Sequence, residues 1–413
     1  MQTKRTLIII YEKFVLQFLL FETDHSSIRL IKEKKVRNYT EGYKFFIVDF
    51  ILQSLTLWGE ECGLIFVQEM VPLVPRVGNH GMDEIHIFSY RKDESLYSIT
   101  KNVFVIGNDI KPQGTVSISK LVDFQNILYI GFDFDKIEVV RYIKDDGRSV
   151  KVMSEIISYD AHTIASSKEF TNILERIETD LVTNQISDFL ANSLNRPLFE
   201  LQSSTGILVD FLLSVKELET IRLKSKKLGL HLFGKDKLGK DLVIIGGEKL
   251  RILNNVSLLL LEVLTVLSLS GTVTVYCDKF GFFDLLQKSK TEIMSKEFYS
   301  QFLLELWGNC VIVSNKKKAK WDETVARVRI QDGDVKKEMI PLYGHILKFS
   351  FSDGGSFQMD TYEGYFVGKE TQMMLKNAQT NVVIDARPHP IDLSLVDTDE
   401  LFIWLKGIGA ISN

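Results

Sequence analysis

A chain of 413 residues, 45% hydrophobic and 25% charged, is long enough for two or three globular domains with sizeable cores. Its formal net charge of -4 supplies no field to gather nucleic acid, and no run of like charge forms an interaction tail. Three cysteines, Cys62, Cys277 and Cys310, make an odd set without metal-ligand spacing, which fits reduced, buried thiols in a cytoplasmic setting.

From the N-terminus, Lys4-Arg5 precedes an apolar run that Glu12-Lys13 interrupts, so no signal peptide is expected. Thr6 to Tyr11, Phe14 to Glu22 and Ser27 to Lys35 are three closely spaced strand candidates, a meander opening a sheet. Tyr43 to Leu57 carries apolar residues on nearly every side and suits a helix packed on that sheet. Leu64 to Val67 is a short strand, Val71 to Asp83 a Pro- and Gly-containing loop, and Glu84 to Ser89 and Ser95 to Ile106 alternate like half-buried strands. Leu128 to Ile143 and Ser149 to Ser158 flank an Asp145-Asp146-Gly147 turn. After Ala165 the apolar period becomes helical from Phe170 to Leu194, stops at Arg196-Pro197, and resumes from Ile207 to Leu223.

Asp241 to Leu286 is the most informative stretch. Leu242 to Ile245 is an all-apolar run ending in Gly246-Gly247, as a buried parallel strand requires when it must turn sharply. Val256 to Leu269 is apolar apart from Glu262, which predicts a helix covered on most sides; it is too short to span a bilayer. Thr272 to Tyr276 returns as a strand and completes a βαβ unit. A Walker A loop is absent, because Gly239-Lys240-Asp241 lacks the Ser or Thr and precedes its strand. Beyond the basic linker Asn315 to Lys320 the chain becomes strand-rich to about Asp385, which predicts a small β barrel or sandwich. Asp397 to Leu405 closes the chain as a helix, with Gly407 as its cap.

Three segments together resemble the accessory proteins of adenosylcobalamin-dependent glutamate mutase, the MutL or GlmL type of the actin-like ATPase (ASKHA) superfamily, which also holds hexokinase, FtsA and PilM. Asp241 to Leu286 resembles the family's strand, glycine turn, apolar helix and strand ending in Asp, here Asp278. Val325 to Pro341 resembles its strand, acidic turn and strand, and Val382 to Pro388, VVIDARP, its terminal element. The resemblance implies an α/β, actin-like (ribonuclease H-like, duplicated) fold with an additional small all-β module towards the C-terminus. The expected domains are 1–125 and 126–315 as the two actin-like halves and 316–413 as the β module with its closing helix.

Such an ATPase needs two glycine- and hydroxyl-bearing hairpins that cradle phosphate. The first matching piece, Ile8 to Leu16, has no Gly, Ser, Thr or Asp. In the second, Gly131-Phe132-Asp133-Phe134-Asp135, Asp133 and Phe134 replace glycines and both threonines are missing. A carboxylate about 4 Å from a triphosphate costs on the order of 1 to 4 kcal/mol. Gly246-Gly247 is the one intact piece, as a residual adenosine-side turn; a diglycine after a buried strand serves backbone packing equally well. Alternation puts Asp133 and Asp135 on one strand face and Glu138 on the other, so no shared metal site is expected. No catalytic constellation emerges: His80, His86 and His162 are scattered, and Asp385 with Arg387 fits a structural ion pair or turn contact.

The expected function is that of a catalytically inactive actin-like scaffold or assembly protein acting through protein–protein binding. The alternative implied by the resemblance is a weak nucleotide-gated chaperone that reactivates a cobalamin-dependent mutase. A structural subunit of an envelope or motility machine is a third. No cofactor is expected, with residual ATP binding left open at Gly246 and Gly247. The expected partner is another protein, with no nucleic acid and no direct membrane span.

Overall fold

The computed structural model describes residues 4–11, 15–23, 28–37, 64–69, 85–88, 126–133, 136–145, 149–158, 204–227, 241–253, 255–266, 271–281, 283, 304–315, 319–351, 355–378, 380–389 and 391–411. The chain divides into two compact units, residues 1–121 with 280–303 and residues 122–279 with 304–413. The helix expected at 43–57, the loop at 71–83, the strand at 95–106 and the helical run at 170–194 lie outside the described residues.

In the first unit, β1 (Lys4–Tyr11), β2 (Val15–Thr23) and β3 (Ile28–Arg37) form the expected meander. With β4 (Leu64–Glu69) and β5 (Ile85–Phe88) they make a five-stranded sheet in the order β3-β2-β1-β4-β5. β1 runs parallel to β4, and β5 is antiparallel to β4. Leu19, in the middle of the apolar β2, is fully buried.

The second unit repeats this order. β6 (Asn126–Phe132), β7 (Lys136–Asp145) and β8 (Ser149–Ser158) form an antiparallel meander, and β6 then pairs in parallel with β9 (Asp241–Gly246). β9 pairs in parallel with β10 (Gly271–Cys277). Among the described residues, three helices join these strands: α1 (Ser204–Lys227), the six-residue α2 (Glu248–Leu253) and α3 (Val256–Val266). α3 is buried from Ser257 to Val266, as its mostly apolar sequence requires. β9, α3 and β10 are the expected βαβ unit; α2, inserted between the diglycine and α3, was not foreseen.

Beyond β10 the sheet continues through β11 (Glu305–Asn315), antiparallel to β10. The strands after residue 316 divide between two sheets. β12 (Ala326–Asp332), β13 (Val335–Met339), β15 (Gly355–Thr361) and β17 (Gln372–Ala378) form a separate four-stranded antiparallel sheet in the order β13-β12-β15-β17. β14 (Ile346–Ser350) and β18 (Asn381–Asp385) instead extend the large sheet, β18 parallel to β11, while β16 (Tyr365–Val367) pairs with β11. The alternation of β11 explains the division. Cys310 and Ile312 enter a core with α1, α3 and the C-terminal helix, whereas Val311 and Val313 enter a second core with Val328, Phe357 and Met359 of the four-stranded sheet. The residues after 316 thus complete the unit that begins at 122.

The C-terminal helix α4 (Thr398–Gly407) starts at a capping box in which Asp397 and Glu400 exchange hydrogen bonds. Gly407 lies inside it, and the left-handed residue is Gly409, with a φ of 74°. Gly409 N donates to Lys406 O and Ala410 N to Leu405 O, the Schellman pattern. The order 3-2-1-4-5, present in both units, makes the fold α/β and actin-like, with the additional antiparallel sheet near the C-terminus.

Candidate functional site

The parallel pairing of β6 with β9 sets Gly131 opposite Gly246, so the hairpin tip after β6 and the diglycine turn after β9 are neighbours. Across the hairpin, Gly131 pairs with Glu138 and Phe132 with Ile137. Asp133 N donates to Lys136 O at 3.0 Å and closes the turn. Phe134 and Asp135 lie outside the described residues, as do residues 12–14 at the tip of the first unit's hairpin.

Both glycines of the turn are covered. A Cβ on Gly246 would come 2.7 Å from the Tyr129 hydroxyl oxygen and 2.8 Å from its ring. Gly247 has a φ of 93°, and a Cβ there would overlap the Phe132 backbone nitrogen, carbonyl carbon and oxygen. Only glycine satisfies both the left-handed backbone and this approach. The Asp133 carboxylate then folds over the turn, its Oδ1 accepting the Glu248 backbone N–H at 2.8 Å and its Oδ2 lying 3.8 Å from Lys136 Nζ. It satisfies one of the four amides that the start of a helix leaves unpaired. On the other side, Asp278, the acidic residue ending the βαβ unit, is fully buried and ties its N–H to Ile245 O at 2.8 Å.

Behind the turn lies a buried charged cluster. Lys249, the second residue of α2, is 3% exposed and donates to Asp210 Oδ1 at 2.6 Å and to Ser214 Oγ at 3.1 Å, both on α1. Glu262 of α3 is fully buried beside them, and neither carboxylate oxygen has a hydrogen-bond partner in good geometry. Burial pushes its carboxyl well above the usual carboxylate range; Lys249 and Ser214 pull the other way, and Asp210 adds to the rise.

A second buried cluster is built on the VVIDARP segment. Arg387 Nε and Nη2 donate to Asp385 Oδ1 and Oδ2 at 2.9 and 2.8 Å, and Nη1 donates to Thr265 Oγ1 at 3.0 Å. The guanidinium stacks on Trp404 at 4.8 Å, and Trp404 Nε1 donates to Gly344 O. His389 Nε2 lies 3.1 Å from Asp385 Oδ2. Burial alone would raise the Asp385 carboxyl, yet the charges and hydrogen bonds of Arg387 and His389 hold it well below the usual range. This is the structural ion pair expected from the sequence.

The described cysteines are unsuited to nucleophilic chemistry. Burial, with Glu305 and Asp278 nearby, pushes the Cys277 thiol up to about 12, and burial raises Cys310 further. Among the described residues no group of three His, Cys, Asp or Glu side chains is placed to hold a metal ion, and no helix is long and apolar enough to cross a membrane. Sequence reasoning noticed Glu262 as a lone charge in an apolar helix but missed the cluster around it. Lys249 and Asp210 are 39 positions apart and carry no local signal of contact.

No protein-family model matches the chain, and no curated protein matches it by sequence. Among solved structures it is similar to a Ppx/GppA family member from Aquifex aeolicus, at 11% identity over 73% of this chain and 87% of that one, with a TM-score of 0.29. It is also similar to glucokinase from Balamuthia mandrillaris in complex with glucose, at 14% identity over 63% and 85% of the two chains, with a TM-score of 0.29. A PilM-PilN type IV pilus biogenesis complex matches at 10% identity over 60% and 82%, with a TM-score of 0.25. At these scores the superpositions assign no activity, and the fold assignment rests on the strand order.

Proposed function

We propose that this protein is a catalytically inactive, actin-like scaffold or assembly factor that acts by binding another protein. The observation that carries this reading is the Asp133 carboxylate seated on the Glu248 amide while the Phe132 backbone lies against Gly247. A nucleotide needs open glycines and free backbone amides at this position. Here the chain's own hairpin takes the amide with a negative charge and fills the approach to the glycine. A phosphate arriving there meets a fixed carboxylate in place of donors, a repulsion on the order of 1 to 4 kcal/mol at about 4 Å.

Titration of the full chain with magnesium-ATP tests the first half of the proposal: no saturable heat is expected up to millimolar nucleotide, and micromolar affinity overturns it. The second half is tested by isolating the chain with its natural partner and measuring the stoichiometry of the complex with and without ATP. A defined complex indifferent to nucleotide is expected. A complex that assembles or dissociates only with ATP favours the nucleotide-gated chaperone and overturns the scaffold reading.

A further inference from the structure

The four-stranded sheet of the second unit ends at β13, which among the described strands pairs with β12 alone and is exposed from Val335 to Glu338. Which of its backbone groups are free follows from the ladder behind it. Tyr362 N donates to Val325 O at 2.9 Å, so Val325, Arg327, Arg329 and Gln331 turn their backbone groups towards β15. The alternate residues Val328, Ile330 and Asp332 turn theirs towards Met339, Lys337 and Val335 of β13. The two-residue turn Gly333-Asp334, with Gly333 at a φ of 57°, agrees, because it makes Asp332 and Val335 a hydrogen-bonded pair. Lys336 and Glu338 therefore point both N–H and C=O out of the sheet.

An antiparallel strand joins such an edge only with outward residue against outward residue. Two copies of β13 can then meet about a two-fold axis with Lys336 on Lys336, with Glu338 on Glu338, or with Lys336 on Glu338. The first two oppose like charges, whereas the third sets each ammonium against a carboxylate, twice over. Lysines on an edge strand ordinarily keep other strands away; alternating with Glu338, Lys336 selects one register. Both side chains lie on the face where Glu338 accepts from Arg327 at 2.7 and 2.8 Å. On the other face Val335, 66% exposed, comes opposite Met339 of the second copy. Lys337 comes opposite its own copy, the like-charge contact of this register, and its long stem carries the ammonium clear to solvent. We propose that the chain forms a two-fold symmetric dimer in which β13 pairs with β13 of a second copy, Lys336 against Glu338, joining two four-stranded sheets into one. The inference concerns self-association and is independent of the closed diglycine turn.

Sedimentation equilibrium of the full chain tests the dimer. The small area of one strand pair makes it weak, with a dissociation constant on the order of 10 to 100 µM. Lys336→Glu and Glu338→Lys each turn both charge pairs repulsive and should weaken association about tenfold or more. An equal mixture of the two single variants should associate again, because each then meets the opposite sign; this also shows that neither variant has unfolded. The double variant Lys336→Glu with Glu338→Lys should return to the wild-type affinity, since the exchanged charges still match in this register alone. A wild type that stays monomeric at about 500 µM overturns the proposal. So does a single variant that dimerises like the wild type, or a mixture or double variant that fails to associate.

Discussion

Two buried carboxylates in the second unit meet opposite fates, and each sets a pH dependence of its own sign. Asp385 is ionised against Arg387, and its folded-state value lies below the unfolded one. Its contribution is therefore fully present above the unfolded value of about 3.9 and lost only as pH falls through the depressed folded value. Asp385→Asn leaves the Arg387 guanidinium buried without its counter-charge and should cost about 3 to 5 kcal/mol in urea unfolding at pH 7; replacing both residues with apolar ones should cost much less. Glu262 runs the other way. Its folded value is raised, so the native state binds more protons than the unfolded chain, and stability falls as pH climbs above the unfolded value of about 4.3 towards the folded one. Glu262→Gln should therefore gain stability over the wild type at pH 8 and show no difference at pH 4, measured by the urea midpoint. The pairing of Asp385 with Arg387 was legible because the two lie two positions apart in a family-like segment. Lys249 with Asp210 was not, since nothing in a sequence marks which distant helix a buried lysine will meet.

The diglycine turn and the hairpin act as a pair of elements. Gly247→Ala places a Cβ in a left-handed conformation and into the Phe132 backbone, so it should lower stability by about 2 kcal/mol or more, whether or not nucleotide is present. A substitution here therefore reports on packing, and loss of function on mutating Gly247 is not a sign of nucleotide contact. The strand pattern at this scale is partly visible: the first meander and the βαβ unit fall where period-2 and apolar runs put them, whereas Leu128 to Ile143, which reads as one arm beside the Asp145-Asp146-Gly147 turn, is divided between β6 and β7. α2 was hidden because three of its six residues, Glu248, Lys249 and Arg251, are charged yet buried, contrary to the usual exposure of such side chains. The cap expected at Gly407 falls at Gly409 for a different reason. Two glycines lie two positions apart, and only the hydrogen bonds of the Schellman motif distinguish Gly409 as the left-handed one.

For the whole molecule, the strands after residue 316 were expected as a module of their own, and alternation located most of them. Which sheet each would join was not legible, because a strand's partner is set by long-range pairing and its period reveals only its two faces. β14 and β18 entering the large sheet, with Trp404 and Leu405 in the core of α1 and α3, bind the C-terminal span to residues 122–279. A chain truncated after residue 315 should therefore lose cooperative unfolding, and the isolated 316–413 fragment should show no cooperative thermal transition; an independently folding fragment contradicts this account. We propose that the actin-like fold has been kept while its adenosine-side diglycine turn is closed by the neighbouring hairpin. Calorimetric titration of the full chain with magnesium-ATP tests it most directly. No saturable binding is expected up to millimolar nucleotide, and a micromolar, magnesium-dependent isotherm would contradict a closed turn.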